Sequence, residues 1–187
     1  QVLPHAKITI RNPLGEILGA NQTGRITIES NSLALDYYPG EPLNSQADSS
    51  SKISGFQSDD LGFFDEQGYL TVIGRCSHKI ITGGENVFPA EVEAAILATQ
   101  LVTDVSVIGL PDNYWGEVVT AIYVPRYSDV SSASLKTAVA EKISKFKQPK
   151  YWIPVEELPR NEQGKVNYEQ LKALIAEVLK IAIGSDE

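Results

Sequence analysis

Methionine is absent from the 187 residues, cysteine occurs once (Cys76) and histidine twice (His5 and His78). A single cysteine excludes an internal disulfide, and two histidines far apart in sequence do not make a zinc site, so no metal ligands are assigned. Long hydrophobic runs are missing too. None approaches the roughly 18 residues of a membrane helix, and the N-terminus lacks the basic, apolar and small-residue order of a signal peptide. A cytoplasmic protein without a membrane span is the expectation. Basic charge is scarce: 16 Lys and Arg against 24 Asp and Glu give a net charge of −8. That balance argues against nucleic acid as a main partner, because neutralising phosphates needs a basic surface. Only Lys142 to Lys150 is locally basic. A chain that starts at Gln1 and holds no methionine is expected to be a processed product or a piece excised from a longer protein.

What is present suits a folded protein, with 42% hydrophobic and 21% charged residues, enough to bury a core in one domain or in two small ones. Val2 to Ile10 and Gly24 to Glu29 alternate apolar residues (Ile8, Ile10; Ile26, Ile28) as half-buried strands do, with turns at Asn12-Pro13-Leu14-Gly15 and Asn21-Gln22-Thr23-Gly24. Pro39 to Gly55 is polar and aperiodic, which predicts a mobile surface loop. Phe56 to Phe64 and Tyr69 to Ile73 resume the strands across Asp65-Glu66-Gln67-Gly68. Residues 1–76 are therefore predicted to form a small antiparallel, β-barrel-like subdomain.

From 77 to 187 the pattern is mixed. Pro89 opens a helix to Leu97, since proline suits a first helical turn and Glu91 and Glu93 lie near the positive end of its dipole. Val102 to Leu110 and Val118 to Val124 are β-branched runs that predict strands, turned at Pro111-Asp112-Asn113. Leu135, Val139, Ile143 and Phe146 predict one face of a second helix, and Tyr151 to Val155 a short strand. Asn167 is a candidate N-cap, with Gln170 three residues on, for a terminal helix whose apolar face is Leu171, Leu174, Ile175 and Val178. The second part reads as a small α+β domain, a short sheet flanked by helices, and the whole chain as α+β.

Gly74 to Glu93 links the two parts: a strand end at Arg75, a junction at Ser77, an apolar pair at Ile80-Ile81, the glycines Gly83 and Gly84, and the helix start. From spacing alone, a loop between two small domains explains these residues equally well. The stretch resembles, nearly position for position, the pattern Gly-Arg-x-x-Asp-x-Ile-Ile-x-Gly-Gly-Glu-Asn-Ile/Val-x-Pro-x-Glu-Ile/Val-Glu of acyl-CoA ligases among the adenylate-forming (AMP-binding) enzymes. His78 departs from it, standing where the family has Asp. Ser58-Asp59-Asp60-Leu61-Gly62 is similar to the family's Thr-Gly-Asp-Leu-Gly run, with Asp59 in place of glycine. Leu158-Pro159-Arg160-Asn161-Glu162-Gln163-Gly164-Lys165-Val166 resembles its Leu-Pro-Arg-x-x-x-Gly-Lys-Val/Ile loop. Trp115-Gly116-Glu117 and Lys147-Gln148-Pro149-Lys150 also recur in acyl-CoA ligases, so the likeness extends over essentially the whole chain.

The resemblance implies roles that the residue types can support. Asp60 is implied to hold the ribose hydroxyls of ATP, because a carboxylate accepts from both, and Arg75 to contact the same nucleotide through its fork of donors. Taken alone, these two fit a solvated loop and a surface ion pair. Ser77 takes the hinge position, and serine occurs there notably in o-succinylbenzoate–CoA ligases, the branch the chain is most like. Gly83 and Gly84 are implied to let backbone approach the pantetheine arm of CoA; a plain turn explains them as well. Lys165 is the catalytic candidate, a positive charge on a flexible stem that can offset charge at the α-phosphate during acyl-AMP formation. Taken alone it is a solubilising loop lysine, and it is no P-loop lysine, since Val166 replaces the Ser/Thr that would bind magnesium.

The implied whole is the last β-rich subdomain of a large adenylation domain followed by the mobile C-terminal lid, divided at 76/77. Its implied substrates and cofactors are a carboxylic acid, ATP, Mg2+ and coenzyme A. The family's Thr-Ser-Gly-Thr-Thr-Gly phosphate loop and acid pocket belong to an N-terminal region that this sequence does not contain, so the fragment alone is expected to be inactive. Fatty-acyl and aryl acids remain open as substrates, a carrier protein as acceptor, and a non-catalytic interaction module as a role. Oligomeric state is not assigned.

Overall fold

The computed structural model describes residues 4–33, 36–37, 41–42 and 55–183, with side chains over 4–33 and 55–175. The chain divides into two compact units, Gln1–His78 and Lys79–Glu187.

In the first unit, strands β1 (Ala6–Arg11), β2 (Gly24–Ser30), β5 (Phe56–Phe64) and β6 (Leu70–Arg75) form an antiparallel sheet in the order β1-β2-β5-β6. Among the described residues no pairing closes this sheet, so the barrel-like expectation becomes an open sheet. Two short strands, β3 (Asp36–Tyr37) and β4 (Glu41–Pro42), pair with each other. The remainder of the loop expected at Pro39 to Gly55 lies outside the described residues, apart from Gly55. Strict alternation fails at one place: Thr9 and Thr27 face each other across β1 and β2 and are 7% and 0% exposed. The sheet is covered on both faces there, which a polar-outward reading of the strands does not anticipate. The ladder between β5 and β6 shifts register at Leu61/Gly62. A bulge of this kind bends a strand and re-aims the side chains next to it. A one-turn 3-10 helix, Cys76–His78, ends the unit.

The second unit is built on β10 (Gly116–Pro125). β9 (Val102–Asp112) runs antiparallel to it, β7 (Ile80–Thr82) meets its first residue, and β11 (Tyr151–Pro154) pairs with it in parallel over Thr120 to Tyr123. β8 (Glu85–Val87) completes a tight hairpin with β7. Period-two alternation sends β-branched residues to both faces. Val105, Val107, Val119, Ala121 and Tyr123 pack with Val92 and Ile96 of α1 (Pro89–Leu97) and with Leu135 and Val139 of α2 (Ser132–Val139). On the opposite side Ile108, Ile122 and Ile153 pack with Leu171 and Ile175 of α3 (Tyr168–Ile183). The short sheet flanked by helices is thus present, and the α+β class holds.

Helix ends follow local chemistry. Pro89 fills the first turn of α1, where its missing N–H has no partner to lose. Ser131 caps α2 reciprocally with Ser134, and Asn167 Oδ1 accepts from the Gln170 amide at 3.2 Å. Two expectations change. α2 stops at Val139, while Ile143 is buried beyond its end and Phe146 lies in a separate 3-10 turn, Lys145–Lys147. The Gln148 side chain donates from Nε2 to the carbonyls of Ala140 (3.2 Å) and Ile143 (3.4 Å), satisfying groups that a continued helix would have bonded. Leu174 is 40% exposed and is not part of the buried face of α3.

Candidate functional site

In the first unit Asp60 and Arg75 are register partners across β5 and β6, with Arg75 Nε 3.7 Å from Asp60 Oδ1. Two residues 15 apart in sequence are brought to one spot beside the bulge, both about half exposed and open to a ligand. The Ser58 hydroxyl donates to the Ile26 carbonyl and accepts from the Asp60 amide, which anchors this end of β5. Asp59, the neighbour that departs from the family pattern, bonds Ser77: its carboxylate accepts from the Ser77 amide at 3.3 Å and from the hydroxyl at 2.5 Å. Sequence reading singled out Ser77 but not the residue that holds it.

In the second unit Gly83 and Gly84 form the two-residue turn of the β7–β8 hairpin with φ of +57° and +85°. Positive φ at both central positions is the type I′ requirement that glycine meets without strain. Gly83 also needs its lack of a side chain, because a Cβ there would lie 2.8 Å from the Trp115 ring. The Gly83 amide donates to the Trp115 carbonyl at 2.9 Å, and Glu117 accepts from the Ile81 amide at 2.8 Å. The Trp115-Gly116-Glu117 run therefore fixes the hairpin through one backbone and one side-chain acceptor.

A cavity of about 440 Å³ lies beside this hairpin, floored by Val118 and Val119 and rimmed by Thr82, Trp115, Phe146, Gln148, Lys145 and Lys150. Asp112 organises one wall by accepting from the amides of Tyr114 (2.9 Å) and Trp115 (3.0 Å) and from Lys150 Nζ (2.8 Å). The Lys150 bond, helped by those two amides, holds the Asp112 carboxyl down at about 2, and Asp112 in turn raises the Lys150 ammonium. Lys147, by contrast, is engaged with Glu91 of α1 at 2.7 Å. None of the cavity residues was assigned a role from sequence, although Trp115 and Lys150 stand in the runs noted above.

Lys165 is exposed on the loop between β11 and α3. Asn161 shapes that loop: its side chain accepts from the amides of Gln163 (3.1 Å) and Lys165 (2.9 Å), and its own amide donates to the Lys165 carbonyl at 2.8 Å. Arg160 donates to the Gly164 carbonyl at 2.8 Å and forms an ion pair with Asp104, near the start of β9. The cavity is tied to the other end of the same strand through Asp112. Eight residues at about 3.3 Å each separate Asp104 from Asp112, so the two features lie roughly 25 Å apart along β9. The structure does not bring Lys165 together with Gly83 and Gly84: the Lys165 loop is linked through Arg160 to Asp104 near one end of β9, and the hairpin through Trp115 to Asp112 at the other. Among the described residues no group of three His, Cys, Asp or Glu could hold a metal ion, and no described helix is long and apolar enough to cross a membrane.

The family model of the AMP-binding enzyme C-terminal domain matches residues 91–165. The chain is 36% identical over 143 residues to long-chain-fatty-acid–CoA ligase FadD13 of Mycobacterium tuberculosis, covering 76% of this chain and 28% of that protein. It is 38% identical over 151 residues to the 2-succinylbenzoate–CoA ligase of Bacillus velezensis, covering 81% and 30%. The solved o-succinylbenzoate CoA synthetase of Bacillus subtilis, in complex with its acyl-adenylate intermediate, superposes with a TM-score of 0.81 at 32% identity over 91% of this chain and 34% of that one. Over most of its length the chain is similar to the C-terminal portions of these acyl-CoA ligases. It spans about a third of the length of these relatives.

Proposed function

We propose that this chain is the C-terminal part of an ATP-dependent acid–CoA ligase, comprising the last β-rich subdomain of the large domain (1–76) and the lid (77–187). In this reading a carboxylate attacks the α-phosphate of ATP to give acyl-AMP and pyrophosphate, and the CoA thiol then displaces AMP. The observation that carries it is the separation of Lys165 from the Gly83–Gly84 hairpin along β9. One lid then offers an ammonium to the charge that builds at the α-phosphate and, from its far end, a backbone turn and cavity to CoA. Asp60 serves the nucleotide's ribose and Arg75 contacts the same nucleotide, both from the first unit, and Ser77 is the pivot between the two steps. Magnesium finds no donor set among the described residues and is expected to come with the nucleotide phosphates, so no step here is routed through it.

The cavity supports free CoA over a carrier protein as acceptor. An apolar floor, two aromatic rings and two lysines suit the base and phosphates of a nucleotide, whereas a carrier-bound pantetheine arm has no base and keeps only the phosphate that attaches it. The acid is an acyl or aryl carboxylate, with o-succinylbenzoate the first to test, in the cytoplasm where ATP and CoA are both supplied. On its own the chain is expected to form no acyl-AMP, because the phosphate loop and acid pocket are not among its residues. The deciding experiment is acid-dependent ATP–pyrophosphate exchange and thioester formation by the longer protein across a panel of carboxylic acids. Exchange with no acid, or transfer only to a carrier protein, would overturn this reading.

A further inference from the structure

Arg160 stands where the Lys165 loop meets the sheet. Its Nη1 donates to the Gly164 carbonyl at 2.8 Å, its Nη2 pairs with Asp104 of β9, and its backbone bridges to Val166. One planar group therefore joins the peptide immediately before Lys165 to a strand of the core. The other bonds of the loop act differently. Asn161 closes the loop on itself, and the Asn167 amide donating to the Pro159 carbonyl closes its base, next to buried Leu158. Those contacts shape the loop and seat its foot. Among the described residues, the tip is fastened to the sheet through Arg160. A guanidinium suits this because its donors are held in a rigid fork and can serve two acceptors at once, whereas an ammonium is a single point on a flexible stem.

We propose that Arg160 is a positioning residue for Lys165: clamped between Asp104 and the Gly164 carbonyl, it fixes the backbone from which Lys165 reaches the reacting phosphate. The proposal rests on the reading of Lys165 as the adenylation lysine, and it adds a residue that acts only through that lysine. A surface ion pair of merely structural use would change thermal stability or both half-reactions alike. A positioning residue changes one half-reaction, and only while Lys165 is present.

The test is a double-mutant cycle in the full-length ligase, with Arg160→Ala, Lys165→Ala and the double variant. Acyl-AMP formation, consumption of pre-formed acyl-AMP by CoA, and melting temperature are measured for each. Arg160→Ala is expected to slow acyl-AMP formation on the order of tenfold to a hundredfold, as a misplacement of about 1 Å does. It should leave the CoA step within about twofold and have no further effect in the Lys165→Ala background. Asp104→Asn, which keeps the strand and weakens the clamp, should move the same step in the same direction; it carries the test if Arg160→Ala does not fold. The proposal is overturned if Arg160→Ala slows the reaction equally with and without Lys165, slows both half-reactions alike, or has no effect where Lys165→Ala has one. If Lys165→Ala itself leaves acyl-AMP formation intact, the underlying reading of Lys165 fails, and the clamp as a positioning device fails with it.

Discussion

The carboxylate of Asp59 holds Ser77 twice, through the amide at 3.3 Å and the hydroxyl at 2.5 Å, across 18 residues of chain. Asp59 stands where the related pattern has glycine, which can make neither bond. With Ser77 as the pivot of the proposed ligase, Asp59 is a latch on the conformation seen here. Two exposed hydrogen bonds of this kind contribute about 1 kcal/mol together, or roughly fivefold in an equilibrium. Asp59→Gly in the full-length ligase is therefore expected to shift the ratio of the two half-reaction rates by about that factor. Ser77→Ala, which removes only the hydroxyl bond, should give a smaller shift in the same direction. Stopped-flow measurement of both steps checks this, and equal changes in both would count against a pivot at Ser77.

The two hairpin glycines separate backbone strain from crowding. Alanine at Gly83 meets a positive φ and the Trp115 ring at 2.8 Å, whereas alanine at Gly84 meets a positive φ but open space. Gly83→Ala should destabilise the 187-residue chain by about 2 kcal/mol, and Gly84→Ala by about 1 kcal/mol. In the full-length ligase Gly83→Ala should also raise the KM for CoA, because the displaced ring is a wall of the cavity. Denaturant melts of both variants provide the comparison. Equal losses would show that the Trp115 contact does not constrain the turn.

These features differ in how far the sequence discloses them. The Pro89 helix start, the Gly83–Gly84 turn and the strands around Ile10, Ile26 and Val119 are written in neighbouring residues, so local pattern finds them. The end of α2 is not, because Ile143 and Phe146 continue the helical period while Gln148, farther along, captures the carbonyls that end it. The Asp59–Ser77 bond, the Arg160–Asp104 pair and the cavity assembled from Thr82, Trp115 and Phe146 depend on sequence separations of 18 to 64 residues. Periodicity carries no signal at that range. Resemblance pointed to Asp60 and Arg75 separately, and only the β5–β6 register shows that they face each other.

Glu93 offers a pH-dependent test of packing within the second unit. Its carboxylate accepts from the Val107 amide at 2.8 Å, and its pKa lies above the ordinary 4.5 because burial, with a smaller push from Asp104, outweighs that bond. A carboxyl raised on folding binds more protons in the native state than in the unfolded chain. Its contribution to stability is therefore full below the unfolded value and is lost as pH rises through the higher folded value. Glu93→Gln keeps an acceptor for Val107 without the charge. The variant should be at least as stable as the parent at neutral pH, and its advantage should shrink as pH falls toward about 4.5. Glu93→Ala leaves the amide unpaired and should lose about 1–3 kcal/mol at any pH. Melting temperatures across that range decide it; a Gln variant less stable at neutral pH would show that the charged form is favoured.

Lys165 gives the sharpest test of the two-ended lid. It is exposed, and the bonds that shape its loop use its backbone amide and carbonyl, which alanine retains. Lys165→Ala should leave stability within about 0.5 kcal/mol of the parent. Loss of an electrostatic contact to charge developing in a transition state costs on the order of 3 kcal/mol, about a hundredfold in rate. Acyl-AMP formation by the full-length ligase is therefore expected to fall about a hundredfold or more. Consumption of pre-formed acyl-AMP by CoA should stay within a few-fold, because the hairpin and cavity at the far end of β9 are untouched. Comparable damage to both half-reactions at unchanged melting temperature would show that the two ends do not divide the work. Damage to neither would leave Lys165 a solubilising charge on a surface loop.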